Sequence, residues 1–259
     1  MHRALRVHVQ PVLRDSSLIL AFEGWNDAGG AGSSALDYVG KAIHSVPLAD
    51  IDPEEYYDFT VRRPNVYIDE SGKRRIRWPA IRFRYGSIDP SRELVIGFGE
   101  EPHLRWNDFC DCVAALCANF GLRRVVMLAA YLADVVYSRP VQVRGFATQA
   151  GDLERIGVSS SDYEGATGIV GVLAERLERE GVDVVSLWAS LPHYIDLSPN
   201  PRGALALLQK VVQLLDIRVE DAPLREEAVA FEERISKLVA SDAELAEYVK
   251  QLKRREFAQ

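Results

Sequence analysis

Leu18–Ile43 reads LILAFEGWNDAGGAGSSALDYVGKAI, and its reading decides the fold. Leu18 to Phe22 is an unbroken apolar run, too short for a helix and without the alternation of a half-exposed strand. It predicts a strand buried on both faces, as in a parallel sheet covered by helices. Glu23-Gly24-Trp25-Asn26-Asp27-Ala28-Gly29-Gly30 then turns the chain, and from Ser33 the apolar spacing becomes helical at Ala35, Leu36, Val39 and Ile43. Strand, glycine loop and helix make up the half of a βαβ unit beside which ligands sit. The loop has neither the G-x-G-x-x-G spacing of dinucleotide sites nor the Gly-Lys-Ser/Thr of a P-loop. Glu23, Trp25, Asn26 and Asp27 remain as candidates to contact a ligand, with Asp27 equally suited to cap the helix.

Working outward, EGWNDAGGAGSSALDYV resembles the signature of the proteasome assembly chaperone 2 family, in its longer bacterial branch. ELVIGFGEEPHLRW (93–106), YEGATGIVGVL (163–173) and SLPHYIDLSPNPRGALALL (190–208) follow in the expected order. At one place the chain departs from the pattern, with Val136-Tyr137-Ser138-Arg139-Pro140 in place of Pro-His-Thr-Arg-Pro. The resemblance implies a three-layer αβα, phosphorylase/hydrolase-like core, a β-hairpin insertion used for trimer contacts, and a C-terminal helical appendage. Members of that branch are mostly of unknown function.

The chain's 259 residues are enough for one large α/β domain with an appendage, and 47% apolar residues fill a real core. A formal net charge of −7 argues against non-specific binding of nucleic acid or an anionic membrane. No apolar run approaches a membrane span, and the N-terminal MHRALRVHVQPVL lacks the apolar stretch of a signal peptide, so the expected location is the cytoplasm. Cys110, Cys112 and Cys117 do not have the spacing of zinc ligands and read as buried thiols. Neither a metal nor a cofactor is expected.

Leu5 to Val9 alternates as an edge strand. Tyr56 to Tyr85 is rich in β-formers with Ser71-Gly72 at its centre, an antiparallel hairpin spanning about residues 56–86. It carries Arg62, Arg63, Lys73, Arg74, Arg75, Arg77, Arg82 and Arg84 against Asp58, Asp69 and Glu70. Basic residues among aromatics suit RNA, but an arm between subunits also explains both features, in line with the resemblance. Regular alternation then resumes: strands at 94–98, 125–129, 141–146 and 182–188, and helices at 106–120, 165–180 and 201–215. That pattern predicts a largely parallel sheet with helices on both sides.

The core domain is expected over residues 1–220 and a helical lid over 221–259. Leu224, Ala228, Phe231, Ile235 and Leu238 form a narrow stripe, and Ser241-Asp242-Ala243-Glu244 reads as a capping box opening a second helix. The hairpin is expected to cover the crevice edge of the sheet, with a coiled coil between subunits as the competing use of the stripe.

Loops after parallel strands converge on one edge. That places Glu23, Trp25, Asn26, Asp27, Glu100, Glu101, His103, Tyr131, Asp134, His193, Tyr194 and Asp196 around one crevice, together with Arg139. Gly165 and Thr167 lead into a helix whose N-terminus suits an anion. The inventory permits hydrolysis or group transfer on a small molecule. G-x-S-x-G and H-E-x-x-H are both absent. The reading is a homo-oligomeric assembly or ligand-binding protein with a protein or small-molecule partner, and a hydrolase- or phosphorylase-like enzyme is the alternative.

Overall fold

The computed structural model of the chain describes residues 2–257. Its centre is the apolar run quoted above: β2 (Ser17–Glu23) follows the short β1 (Leu5–Val7) and enters α1 (Ala31–Ala42) through the glycine loop. Then come β3 (Val46–Ile51), β4 (Asn65–Ile68), β5 (Arg74–Arg77), β6 (Arg82–Asp89) and β7 (Arg92–Glu100). The chain continues through α2 (Trp106–Phe120), β8 (Arg124–Ala133), β9 (Val143–Ala147), α3 (Asp152–Arg155) and β10 (Ser159–Ser160). It ends with α4 (Ile169–Arg179), β11 (Asp183–Pro192), α5 (Pro201–Leu215), α6 (Ala222–Ser241) and α7 (Ala243–Phe257).

Nine strands form one sheet in the order β1-β3-β6-β7-β2-β8-β11-β9-β10. Its central four, β7, β2, β8 and β11, run parallel, and β6 and β9 join them antiparallel on either side. Leu18 to Phe22 are fully buried because helices cover both faces. On one face Ile19, Val126 and Leu187 meet Ala35, Leu36 and Val39 of α1 and Leu207 and Val211 of α5. On the other, Leu20, Val95 and Met127 meet Phe109, Val113 and Leu116 of α2 and Val170 and Leu173 of α4. The architecture is the expected three-layer αβα sandwich. Cys110, Cys112 and Cys117 are free thiols buried in the second of these layers, as expected.

The basic segment divides in two. Tyr56 and Tyr57 are buried in the core, and Arg82 to Asp89 pairs with β3 and β7 as part of the main sheet. Only β4 and β5 stand apart as a two-stranded arm, and every residue in both is exposed. The narrowing has a local cause. Residue 99 of β7 lies so close to the preceding chain that a Cβ there would stand 2.2 Å from the Ala80 carbonyl and 2.5 Å from Ile81 Cα. Glycine at that position lets the returning strand close onto the sheet.

At the C-terminus α6 first packs on α5 and then reaches the loops after β8 and β11. There Phe231, Ile235 and Val239 cluster with Val136, Ile195, and Val249 and Leu252 of α7. The stripe differs from the expected one at its end: Val239 is buried and Leu238 is exposed. A last step of four instead of three follows the 3.6-residue period of a helix on a globular surface rather than a 3.5-residue coiled-coil seam. The joint also differs. Ser241 closes α6, and Asp242 caps α7 by accepting from the Leu245 N–H at 3.0 Å. Val136 and Tyr137, in the segment that departs from the family pattern, form part of the tail's seat, and the Tyr137 hydroxyl donates to Ser236 Oγ at 3.2 Å.

Candidate functional site

Glu23 closes β2 and Glu100 closes the parallel β7, which sets the two carboxylates side by side. The Arg62 guanidinium, at the base of the arm, reaches Glu23 Oε2 at 3.4 Å and pairs with Glu100 through its Nε. Burial and the Glu100 charge hold the Glu23 carboxyl above its ordinary range, with Arg62 pulling the other way. These residues line a cleft of about 720 Å³ together with Trp25, Glu101, His103 and Trp106. The Trp25 side chain is 62% exposed at its mouth.

Asn26 and Asp27 turn inward. The Asn26 carbonyl accepts from the Ala130 N–H at 2.9 Å, which stitches the loop onto β8. The Asn26 side chain is fully buried, and neither atom of its amide has a hydrogen-bond partner among the described residues. Asp27 Oδ1 accepts from Gly32 N at 2.7 Å and Ser33 N at 3.3 Å, so Asp27 caps α1. Burial raises its carboxyl above the ordinary range, against the lowering by those hydrogen bonds.

Glu101 Oε1 accepts from the Ile169 N–H at 2.8 Å, at the start of α4. This corrects two expectations. The helix begins at Ile169 rather than Gly165, and its positive end already holds the chain's own carboxylate instead of awaiting an anion. Gly165, with φ +158°, lies in the exposed loop before it, against the Tyr163 hydroxyl. Thr167 donates weakly to the Gly168 carbonyl at 3.4 Å. A Cβ on Gly168 would lie 2.5 Å from Asn26 Oδ1, 2.9 Å from Asn26 Nδ2 and 2.6 Å from Glu101 Oε1. The close convergence of these three segments therefore requires glycine.

The two histidines are engaged in hydrogen bonds of their own, and only His103 lines the cleft. His103 Nδ1 accepts from the Asp58 N–H at 3.0 Å, and its ring stands edge-on to Tyr57. His193 lies at the same sheet edge as Glu101 but in a separate cluster. Its Nε2 is 2.9 Å from both Asp134 Oδ1 and the Tyr248 hydroxyl of α7. The Tyr194 hydroxyl donates to the Val135 carbonyl and accepts from the Tyr137 N–H, each at 2.9 Å. Arg139 lines a further cavity of about 360 Å³ with Gln142, Arg202, Phe231 and Ile235. The single crevice expected for Asp27, Glu101 and His193 is thus resolved into distinct places: Glu101 and Asp27 follow β7 and β2, whereas His193 follows β11 on the far side of β8, where α6 and α7 pack on the loops after β8 and β11.

One constellation escaped sequence reasoning. Cys112 Sγ lies 3.1 Å from His2 Nδ1, and His2 Nε2 lies 3.2 Å from Asp108 Oδ1. The order is that of a nucleophile, a base and an orienting acid. The thiol is fully buried, however, and burial pushes it up to about 11, so it cannot present a thiolate at neutral pH. The group closes the N-terminal segment onto α2. No spacing between residues 2 and 112 signals it.

The PAC2 family model matches residues 21–239. The chain belongs to the PAC2 family. A PAC2 family protein from Streptomyces avermitilis is 38% identical, with TM-score 0.83, over 91% of this chain and 100% of that one. A proteasome-assembly chaperone homologue from Mycobacterium tuberculosis is 39% identical, with TM-score 0.82, over 90% of this chain and 99% of that one. An archaeal proteasome activator from Pyrococcus furiosus shares the fold at 19% identity and TM-score 0.70, covering 90% of this chain and 97% of that one. No curated protein matches. The PAC2 match spans the glycine loop, both core layers and most of α6.

Proposed function

We propose that the protein is a homo-oligomeric assembly module, a trimer joined through the β4–β5 arm, that docks a protein partner in the cytoplasm. The observation that carries this reading is the arm. Val66, Tyr67, Ile68, Ile76 and Trp78 are exposed on an element that makes no ladder with the main sheet. A two-stranded hairpin is marginal alone and gains stability when its faces are covered. The buried, unpaired thiols suit a reducing compartment. Among the described residues no helix is long and apolar enough to cross a membrane.

The relatives' names extend the proposal to the partner. A proteasome-assembly chaperone homologue at 39% identity and a more distant proteasome activator favour a proteasome-type subunit as the protein docked. In this reading residues 1–220 are the core domain and residues 221–259 a helical lid on the carboxyl edge of the sheet. The packing of Phe231 and Ile235 on Val136 and Ile195 supports the lid. The enzyme alternative gains no support, since Asp27, His103 and His193 are each engaged in separate hydrogen bonds.

Replacing Val66–Arg77 with a short glycine-serine turn tests the arm. Light scattering should then report a smaller particle than the full chain, with circular dichroism unchanged. An unaltered mass rejects the arm as the subunit contact.

A further inference from the structure

The cavity of about 360 Å³ against α6 combines apolar and cationic walls. Val136, Leu191, Phe231 and Ile235 supply the apolar wall, and Arg139 and Arg202 bring positive charge. Arg202 stands in the first turn of α5, its side chain only 14% exposed. Its Nη2 donates to the Arg139 carbonyl at 2.7 Å and meets Glu232 at 3.3 Å. Its Nη1 and Nε donate no hydrogen bond among the described residues. A guanidinium held this far from water with donors unused is costly until an acceptor completes it.

The second observation is Asn200. It lines the same cavity at 5% exposure, and its Oδ1 is taken up in capping α5, accepting from the Gly203 N–H at 3.0 Å. The Nδ2 of this buried amide has no partner among the described residues, which leaves a donor for the cavity. The N-terminus of the fifteen-residue α5 adds positive potential at the same place. Unused donors beside positive charge select an anion, and the apolar wall selects one with a hydrocarbon body. We propose that this cavity binds a small organic carboxylate. Arg202 pairs with its two oxygens through Nη1 and Nε, the strong geometry between guanidinium and carboxylate. Asn200 Nδ2 donates to it, Arg139 adds charge, and Phe231 and Ile235 enclose the hydrocarbon part. Binding here is a property of the single chain and does not rest on assembly through the arm.

Hexanoate and 3-phenylpropionate are the probes, and their amides, of the same shape without the charge, are the controls. Calorimetric titration of the full chain should show saturable binding of a carboxylate and none of its amide. The bound carboxylate should also raise the melting temperature. Arg202→Gln removes the contacts to Glu232 and the Arg139 carbonyl as well, so Asn200→Asp is the sharper variant. Aspartate keeps the cap on Gly203 and replaces the Nδ2 donor with a like charge. It should weaken binding at least about tenfold, the value of one charge-assisted hydrogen bond, with circular dichroism unchanged. Arg139→Gln, at an exposed position, should weaken it in the same direction without disturbing any cap. Lys41→Gln, on α1, should leave it unchanged. Absence of saturable binding of both probes, equal binding of the amides, or indifference to both Asn200→Asp and Arg139→Gln overturns the proposal.

Discussion

Burial keeps the three thiols of this molecule protonated. Cys110 and Cys117 are pushed up to about 12 and Cys112 to about 11, each chiefly by desolvation. A thiol whose folded pKa lies above its unfolded value of roughly 8.5 stabilises the fold fully below that value. The contribution is lost as pH rises from there toward the folded values. Unfolding free energy should therefore fall as pH is raised from about 9 to about 11, and a Cys112→Ser variant should show a shallower fall in urea titrations. At pH 8 all three thiols should resist iodoacetamide until denaturant is added. Labelling of the native chain would contradict the burial argument.

At the scale of elements, much was legible. α2 ends at Gly121 and α5 begins at Pro201, as punctuation and apolar period predict. The start of α4 was not legible, because Gly165 to Gly168 reads as a helical glycine run until Glu101, 68 residues before Ile169, supplies the cap there. The candidate site was legible as an inventory and not as an arrangement. Glu23, Trp25, Glu101 and His103 do share a cleft, but nothing local shows that His193 turns to Tyr248 or that Asn26 is left unpaired. The width of the arm depends on Gly99. Gly99→Ala places a methyl against the backbone of Ala80 and Ile81, which cannot give as a side chain does. The cost should be about 1–3 kcal/mol, read as a lowered urea midpoint. Unchanged stability would show that the β6–β7 approach is slack.

For the whole molecule, the tail is the feature whose removal says most. Truncation after Asp221 takes away Phe231 and Ile235, each worth about 1.5–3 kcal/mol of burial, and uncovers Val136 and Ile195. On the assembly proposed above, the shortened chain should keep the subunit number of the full chain while binding a hydrophobic dye more strongly. Dissociation to monomers would instead assign the stripe to a contact between subunits.

The strand order also sets a timetable during synthesis. β2 lies between β7 and β8, and no strand made before it is its neighbour. At 5–20 residues per second, the roughly seventy residues separating β2 from β7 take about 4–15 s to emerge. Throughout that interval LILAF is a finished apolar strand with no ladder to join. α1 is the one covering element already made, so the glycine loop that folds α1 back onto β2 shelters the strand on one face from the ribosome onward.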